Sequence, residues 1–146
     1  MSKRSSILKA LSEKLKDLDG TNYVSNVNSN VFPKLRFWDE VNDFPCIYMS
    51  PGTETREYLP AEFSWGFLPI SIKVYCRSES SQDELEQLLE DVEDLLDSLD
   101  GRLVYNATTG YETSEISITS ITTDEGLLAP YAVAEINLMV RYQIMK

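Results

Sequence analysis

LPISIKVYCR (residues 68–77) runs, across Ser78 and Glu79, into SSQDELEQLLEDVEDLLDSLDG (residues 80–101), and this pair decides the fold. In the first segment Ile70, Ile72, Val74 and Cys76 alternate with Ser71, Lys73, Tyr75 and Arg77. That period of two, rich in β-branched residues, predicts a half-buried antiparallel strand. In the second segment Leu85, Leu88, Leu89, Val92, Leu95, Leu96 and Leu99 form one stripe at helical spacing. Ser81 is the expected N-cap, with Glu84 completing a capping box. Gly101 is the expected C′ residue, free to take a positive φ. The leucine stripe is therefore expected to be core.

The opposite face of that helix is carboxylate: Asp83, Glu84, Glu86, Glu90, Asp91, Glu93, Asp94, Asp97 and Asp100. Ten of the chain's 24 acids fall in Ser78–Gly101, which leaves 14 against the 13 bases elsewhere. One element thus carries almost all of the net charge of −11. Two readings fit it. It is a solvated face that aids solubility, or a surface that repels nucleic acid and receives a basic partner.

With 146 residues the chain is expected to form one domain, residues 1–146, with a core that needs neither disulfides nor metals. No apolar run is long enough to span a membrane, and MSKRSSILKALSEKLKD has no secretory h-region. Asn106-Ala107-Thr108 matches a glycosylation sequon that an unsecreted chain would not use. Cys46 and Cys76 read as buried thiols. The absence of histidine removes Ser–His–Asp and Cys–His catalysis and imidazole metal ligation. No GxGxxG or Walker A sequence is present. No catalytic residue, cofactor or metal site is expected, and the chain does not read as an enzyme.

Outward from the central pair, Ile7, Leu8, Leu11, Leu15 and Leu18 mark a helix from about Ser6 to Leu18, capped by Ser5 or Ser6 and ended by Gly20. Its flank is basic, with Lys3, Arg4, Lys9, Lys14 and Lys16. Residues 20–30 read as turns. Val31–Trp38 is a short strand broken at Pro33, and Phe44–Met49 is a strand stopped by Pro51-Gly52. Thr55–Trp65 reads as a ragged hairpin arm carrying Glu54, Arg56, Glu57 and Glu62 among aromatics, closed by Gly66. Arg102–Ala107 and Thr113–Thr123 are strands joined by a turn at 108–110, and Ile121 breaks parity, which predicts a bulge near Ser120. The last strand alternates Ala132, Ala134, Ile136, Leu138, Val140, Tyr142 and Ile144 with Glu135, Asn137, Arg141 and Gln143. The expected fold is α+β: an antiparallel β-sheet with two amphipathic helices on one face, in two layers. Tyr58, Phe63 and Trp65 on the arm, and Leu127 and Leu128 in an apolar loop, are more apolar surface than a monomer usually exposes. They are the candidate contact residues, and for the aromatics of the arm a satellite core cluster is the alternative reading.

The N-terminal helix, the Phe-Pro strand ending in Pro-Gly, ISIKVYCR, LLEDVEDLL and the closing TDEGLLAPYAVAEINLMVRYQI together resemble the tail terminator (tail completion) proteins of long-tailed bacteriophages. The resemblance runs from Ile7 to Ile144. It implies a structural virion protein: a hexameric ring that caps the tail tube, stops its polymerisation and joins tail to head. Its implied partners are further copies of itself, the tail tube protein and head-completion or neck proteins. DNA would pass through the ring without specific binding. Three alternatives stand beside it: a head-completion or tail-tube component, a small acidic protein-binding module, and a carboxylate-dependent hydrolase.

Overall fold

A computed structural model describes residues 2–61 and 63–144. Glu62, assigned above to the arm, lies outside the described residues. The elements are α1 (Lys3–Leu15), β1 (Val31–Phe32), a 3₁₀ turn (Trp38–Glu40), β2 (Cys46–Pro51), β3 (Thr55–Leu59), β4 (Phe63–Arg77), α2 (Ser81–Ser98), β5 (Val104–Asn106), β6 (Tyr111–Glu112), β7 (Glu115–Thr123) and β8 (Tyr131–Ile144). Six strands form one mixed sheet in the order β1-β2-β4-β8-β7, with β3 beside the first residues of β4. Two helices with this sheet make an α+β protein.

The sheet departs from the expected antiparallel pattern at one place. β1 pairs with β2 in parallel, Val31 opposite Ile47. The long passage from Phe32 to Cys46, which includes the 3₁₀ turn, lets the chain return and re-enter in the same direction. All other sheet pairings are antiparallel. The central pair β4–β8 keeps register from Ser64↔Ile144 to Arg77↔Tyr131. β4 is longer than expected, because residues 63–67 of the arm belong to it. Gly66 does not close the arm but sits inside the strand. The expected bulge falls between Ile118 and Ser120 of β7. Residues 102–123 yield three strands instead of two, since β5 and β6 pair only with each other.

Alternation decides the core. Leu68, Ile70, Ile72, Val74 and Cys76 of β4 are buried with Ala132, Ala134, Ile136, Leu138, Val140 and Tyr142 of β8. Leu85, Leu88, Leu89, Val92, Leu95 and Leu96 of α2 join that cluster, Leu99 packs partly buried against it, and α1 adds Ile7, Leu8, Leu11 and Leu15. A second cluster gathers Val41, Cys46, Tyr48 and Tyr75 with Phe32, Trp38, Phe44 and Val133. Both thiols are free and buried.

The helix ends differ from expectation. α1 starts at Lys3, with Ser2 Oγ accepting from the Ser5 N–H at 3.1 Å, and it ends at Leu15. The helix begins a turn earlier because Ser2, not Ser5 or Ser6, faces the free N–H groups. Ser81 opens α2 from inside. Ser80 is the N-cap without a side-chain bond, and the Ser78 hydroxyl donates to Glu84 in place of the capping box. At the other end Leu99 is the C-cap, so Asp100 (φ +52°) takes the C′ position and Gly101 (φ +76°) follows. A Cβ at Gly101 would lie 3.2 Å from Glu115 Cα and Ser114 O, which gives the glycine a steric reason as well.

Candidate functional site

The candidate contact residues fall at two places. The first is the β3–β4 hairpin. Every residue of β3 is exposed, Tyr58 at 63% and Leu59 at 41%. Across the turn Phe63 meets Trp65 edge-on at 4.9 Å, both half-buried, and the Arg141 guanidinium lies 4.4 Å from the Trp65 ring. The arm is tied down by a residue that the sequence reading noted only as charge. Glu54 has a side chain just 5% exposed and accepts from Tyr142 Oη at 2.6 Å and Arg56 Nε at 2.8 Å. Arg4 of α1 approaches the same carboxylate at 3.9 Å and donates to the Gly52 carbonyl. Burial, then the bond to Glu54 and its charge, push the Tyr142 phenol well above its usual range.

Gly66 makes that bond geometrically available. A Cβ there would sit 2.7 Å from Tyr142 Cε1, so the bare backbone lets the Tyr142 ring lie across β4. The hydrogen bond spans 88 residues of sequence and no local pattern announces it. A glycine inside an aromatic strand was the one signal available. Nearby, Lys3 Nζ lies 4.7 Å from the centre of the Tyr111 ring, and Tyr105 packs edge-on against Tyr142. The β5–β6 hairpin therefore shares this end of the molecule.

The second place is the β7–β8 connection. Leu127 is 84% exposed and Leu128 half-buried. Asp124 shapes this loop by accepting from the N–H groups of Leu128 and Val133, each at 3.1 Å. Burial opposes its ionisation, but those bonds outweigh it and hold the carboxyl below its usual range. The start of α2 closes the same end, since the Ser78 N–H donates to the Pro130 carbonyl.

These two groups do not form one patch. The loop adjoins Tyr131 and the arm adjoins Ile144, at opposite ends of the 14-residue β8, roughly 40 Å apart at the rise of a strand. The molecule has two apolar poles. Sequence reasoning treated as ordinary loop or strand some further exposed apolar side chains: Leu35 and Phe37 before the 3₁₀ turn, and Val104 and Tyr111 on the small hairpin.

Most of the acidic face of α2 is solvent-exposed, but Glu93 is half-buried and Asp91 is only 5% exposed. That carboxylate accepts from the Ser25 N–H at 2.9 Å and Gln87 Nε2 at 3.0 Å, so it fastens the 20–30 segment to α2. Among the described residues no group of three or more Cys, Asp or Glu is arranged to hold a metal ion.

Comparison with known proteins agrees on one family. Residues 1–146 match the family described as Bacteriophage Tail Tube Terminator Protein. The chain is 38% identical over 154 aligned residues to tail tube terminator protein p142 of Escherichia phage T5, covering 98% of this chain and 95% of that one. Its fold resembles a chain in the structure titled "Virion of native gene transfer agent (GTA) particle", with a TM-score of 0.63 at 13% identity over 99% of both chains. The chain belongs to the bacteriophage tail tube terminator family, a structural component of the virion tail and not an enzyme.

Proposed function

We infer that copies of this chain close into a hexameric ring on the head-proximal end of the tail tube, stop its polymerisation and present the surface to which the head is joined. The match to the terminator family over the full length of the chain carries this reading. Residues 1–146 act as a single domain, with the helices as one layer and the sheet as the other. The two apolar poles support the role, because a terminator has two different neighbours along the tail axis. The Tyr58–Phe63–Trp65 arm and the Leu127–Leu128 loop then meet the tube at one pole and the neck proteins at the other. DNA passes through the ring without specific binding. No described helix is long and apolar enough to cross a membrane.

The test is a phage lacking the gene for this chain, complemented from a plasmid. Without the chain, tubes should vary in length and carry no heads in negative-stain micrographs. With it, tail length and head attachment should return. Regular tails that bear heads in its absence would sink the reading, and stacked tubes formed by the purified chain alone would identify a tube subunit instead.

A further inference from the structure

β7 is the outer strand of the sheet, and among the described residues no strand pairs beyond it. Its nine residues, EISITSITT, contain no Lys, Arg or Pro, and one bulge is its only irregularity. Sheet edges left to solvent usually carry such residues, because a bare row of N–H and C=O groups invites another chain. The side chains add to the exposure. Ile116, Ile118 and Ile121 pair with Val140, Leu138 and Ile136 and so point toward the core side of the sheet. α2 rests on β4 and β8; Ile116 and Ile118 pack partly buried against the core, whereas Ile121 is left 36% exposed. The cleft between α2 and β7 is lined by Asp83, Glu86, Glu90 and Glu93 beside Leu89 and Ile121, with no Lys or Arg among its lining residues.

The other edge has the opposite sign. α1 lies over β1 and β2, and the groove between α1 and β1 is lined by Lys9, Lys16, Val31, Phe32 and Pro33. Glu13, which also lines it, is paired with Lys16, and the Lys34 ammonium lies over the Phe32 ring at 5.5 Å.

We propose that the α2–β7 edge of one copy packs against the α1–β1 edge of the next, a head-to-tail contact that carries the ring around. The inference rests on the ring reading and names the surfaces that make it. The alternative of two β7 edges facing each other would set Glu86 and Glu90 against their own copies, and such like-charge juxtaposition is strongly disfavoured. A head-to-tail contact uses two different surfaces on each subunit, and closes into a ring if its rotation allows.

Charge reversal tests this through pairing. Variant one carries Asp83→Lys, Glu86→Lys and Glu90→Lys, which leaves Glu93 as the one acid lining that cleft and makes both of its edges basic. Variant two carries Lys9→Glu and Lys34→Glu, so both of its edges are acidic. All five side chains are exposed, and unchanged thermal melts by circular dichroism establish that each variant folds. In the complementation system each variant alone should lower the plaque titre by about a hundredfold or more, and co-expression of the two should restore it, since an alternating six-membered ring matches every edge. Full titre from either variant alone overturns the interface and leaves the ring reading standing. Loss in the single variants without rescue on mixing also overturns it. Failure of the wild-type chain to complement removes the ring reading and the interface together.

Discussion

Tyr142 shows how much of this structure hangs on single side chains. Its ring crosses β4 at Gly66 and its hydroxyl meets Glu54, which in turn holds Arg56 at the foot of the arm. Gly66→Ala should force the ring aside and cost about 1–3 kcal/mol, as overpacking usually does. Tyr142→Phe keeps the ring but removes the donor to a nearly buried carboxylate, at about 1.5–3 kcal/mol. Urea unfolding checks both, and a shift under about 0.5 kcal/mol for Gly66→Ala would show room that the geometry denies. The cysteines make the opposite point. Burial pushes the Cys46 and Cys76 thiols up to about 12, with Asp43 adding to the first and Glu84 to the second. Both stay neutral near pH 8, so a thiol reagent should label the native protein only as fast as it unfolds. Prompt labelling would contradict their burial.

Elements differ in how openly the sequence declares them. α2 announces itself because seven apolar residues keep one helical face over four turns, and β8 because its alternation runs from Ala132 to Ile144. Even the bulge in β7 was legible, since Ile121 changes parity against Ile116 and Ile118. The arm was not. Phe63–Phe67 alternates bulky and small residues, yet a strand half-buried on one side and crossed by a distant tyrosine on the other has no local signature. β6, two residues long, is set by its pairing with β5 alone. Helix ends slipped by a turn or less, because several serines and two adjacent positive-φ residues can each serve as a cap. Of the candidate contact residues Tyr58 and Leu127 are exposed while Phe63, Trp65 and Leu128 are half-buried, and their division between two poles required the β4–β8 register. At this scale Leu89→Ala should cost about 2–5 kcal/mol, the usual range for opening a cavity in a packed core. Chemical denaturation reads it, and a loss under about 0.5 kcal/mol would mean that the stripe is not where the fold's cohesion lies.

The whole molecule joins opposed charge to opposed ends. If the Leu127–Leu128 loop contacts tube or neck, Leu127→Ser with Leu128→Ser should leave the subunit folded and sharply reduce head-bearing tails. Unchanged tails in micrographs would remove that loop from the interface. Six copies at −11 each would surround the DNA path with negative charge, facing a phosphate backbone of the same sign. The face that carries Glu135 and Asn137 is polar but internally paired, Glu135 with Lys73 and Asn137 with Ser120. A titration with duplex DNA at low salt, where screening is weakest, should therefore show no saturable binding. Salt-sensitive saturation would replace the passive channel with a gripping one.

The unbroken β4–β8 register also has a mechanical meaning. The poles sit at opposite ends of two antiparallel strands bonded from Ser64↔Ile144 to Arg77↔Tyr131. Tension between the poles slides one strand along the other, so the ladder shares the load and its bonds must give way together. Tension across the sheet opens them one after another, as a zipper does. Force applied between tethers at Leu59 and Glu125 should thus rupture the subunit at a higher load than force between Phe32 and Thr119. Each subunit is a strut, stiff along the line from arm to loop and yielding across it, so a pull between its two ends is carried by the protein backbone.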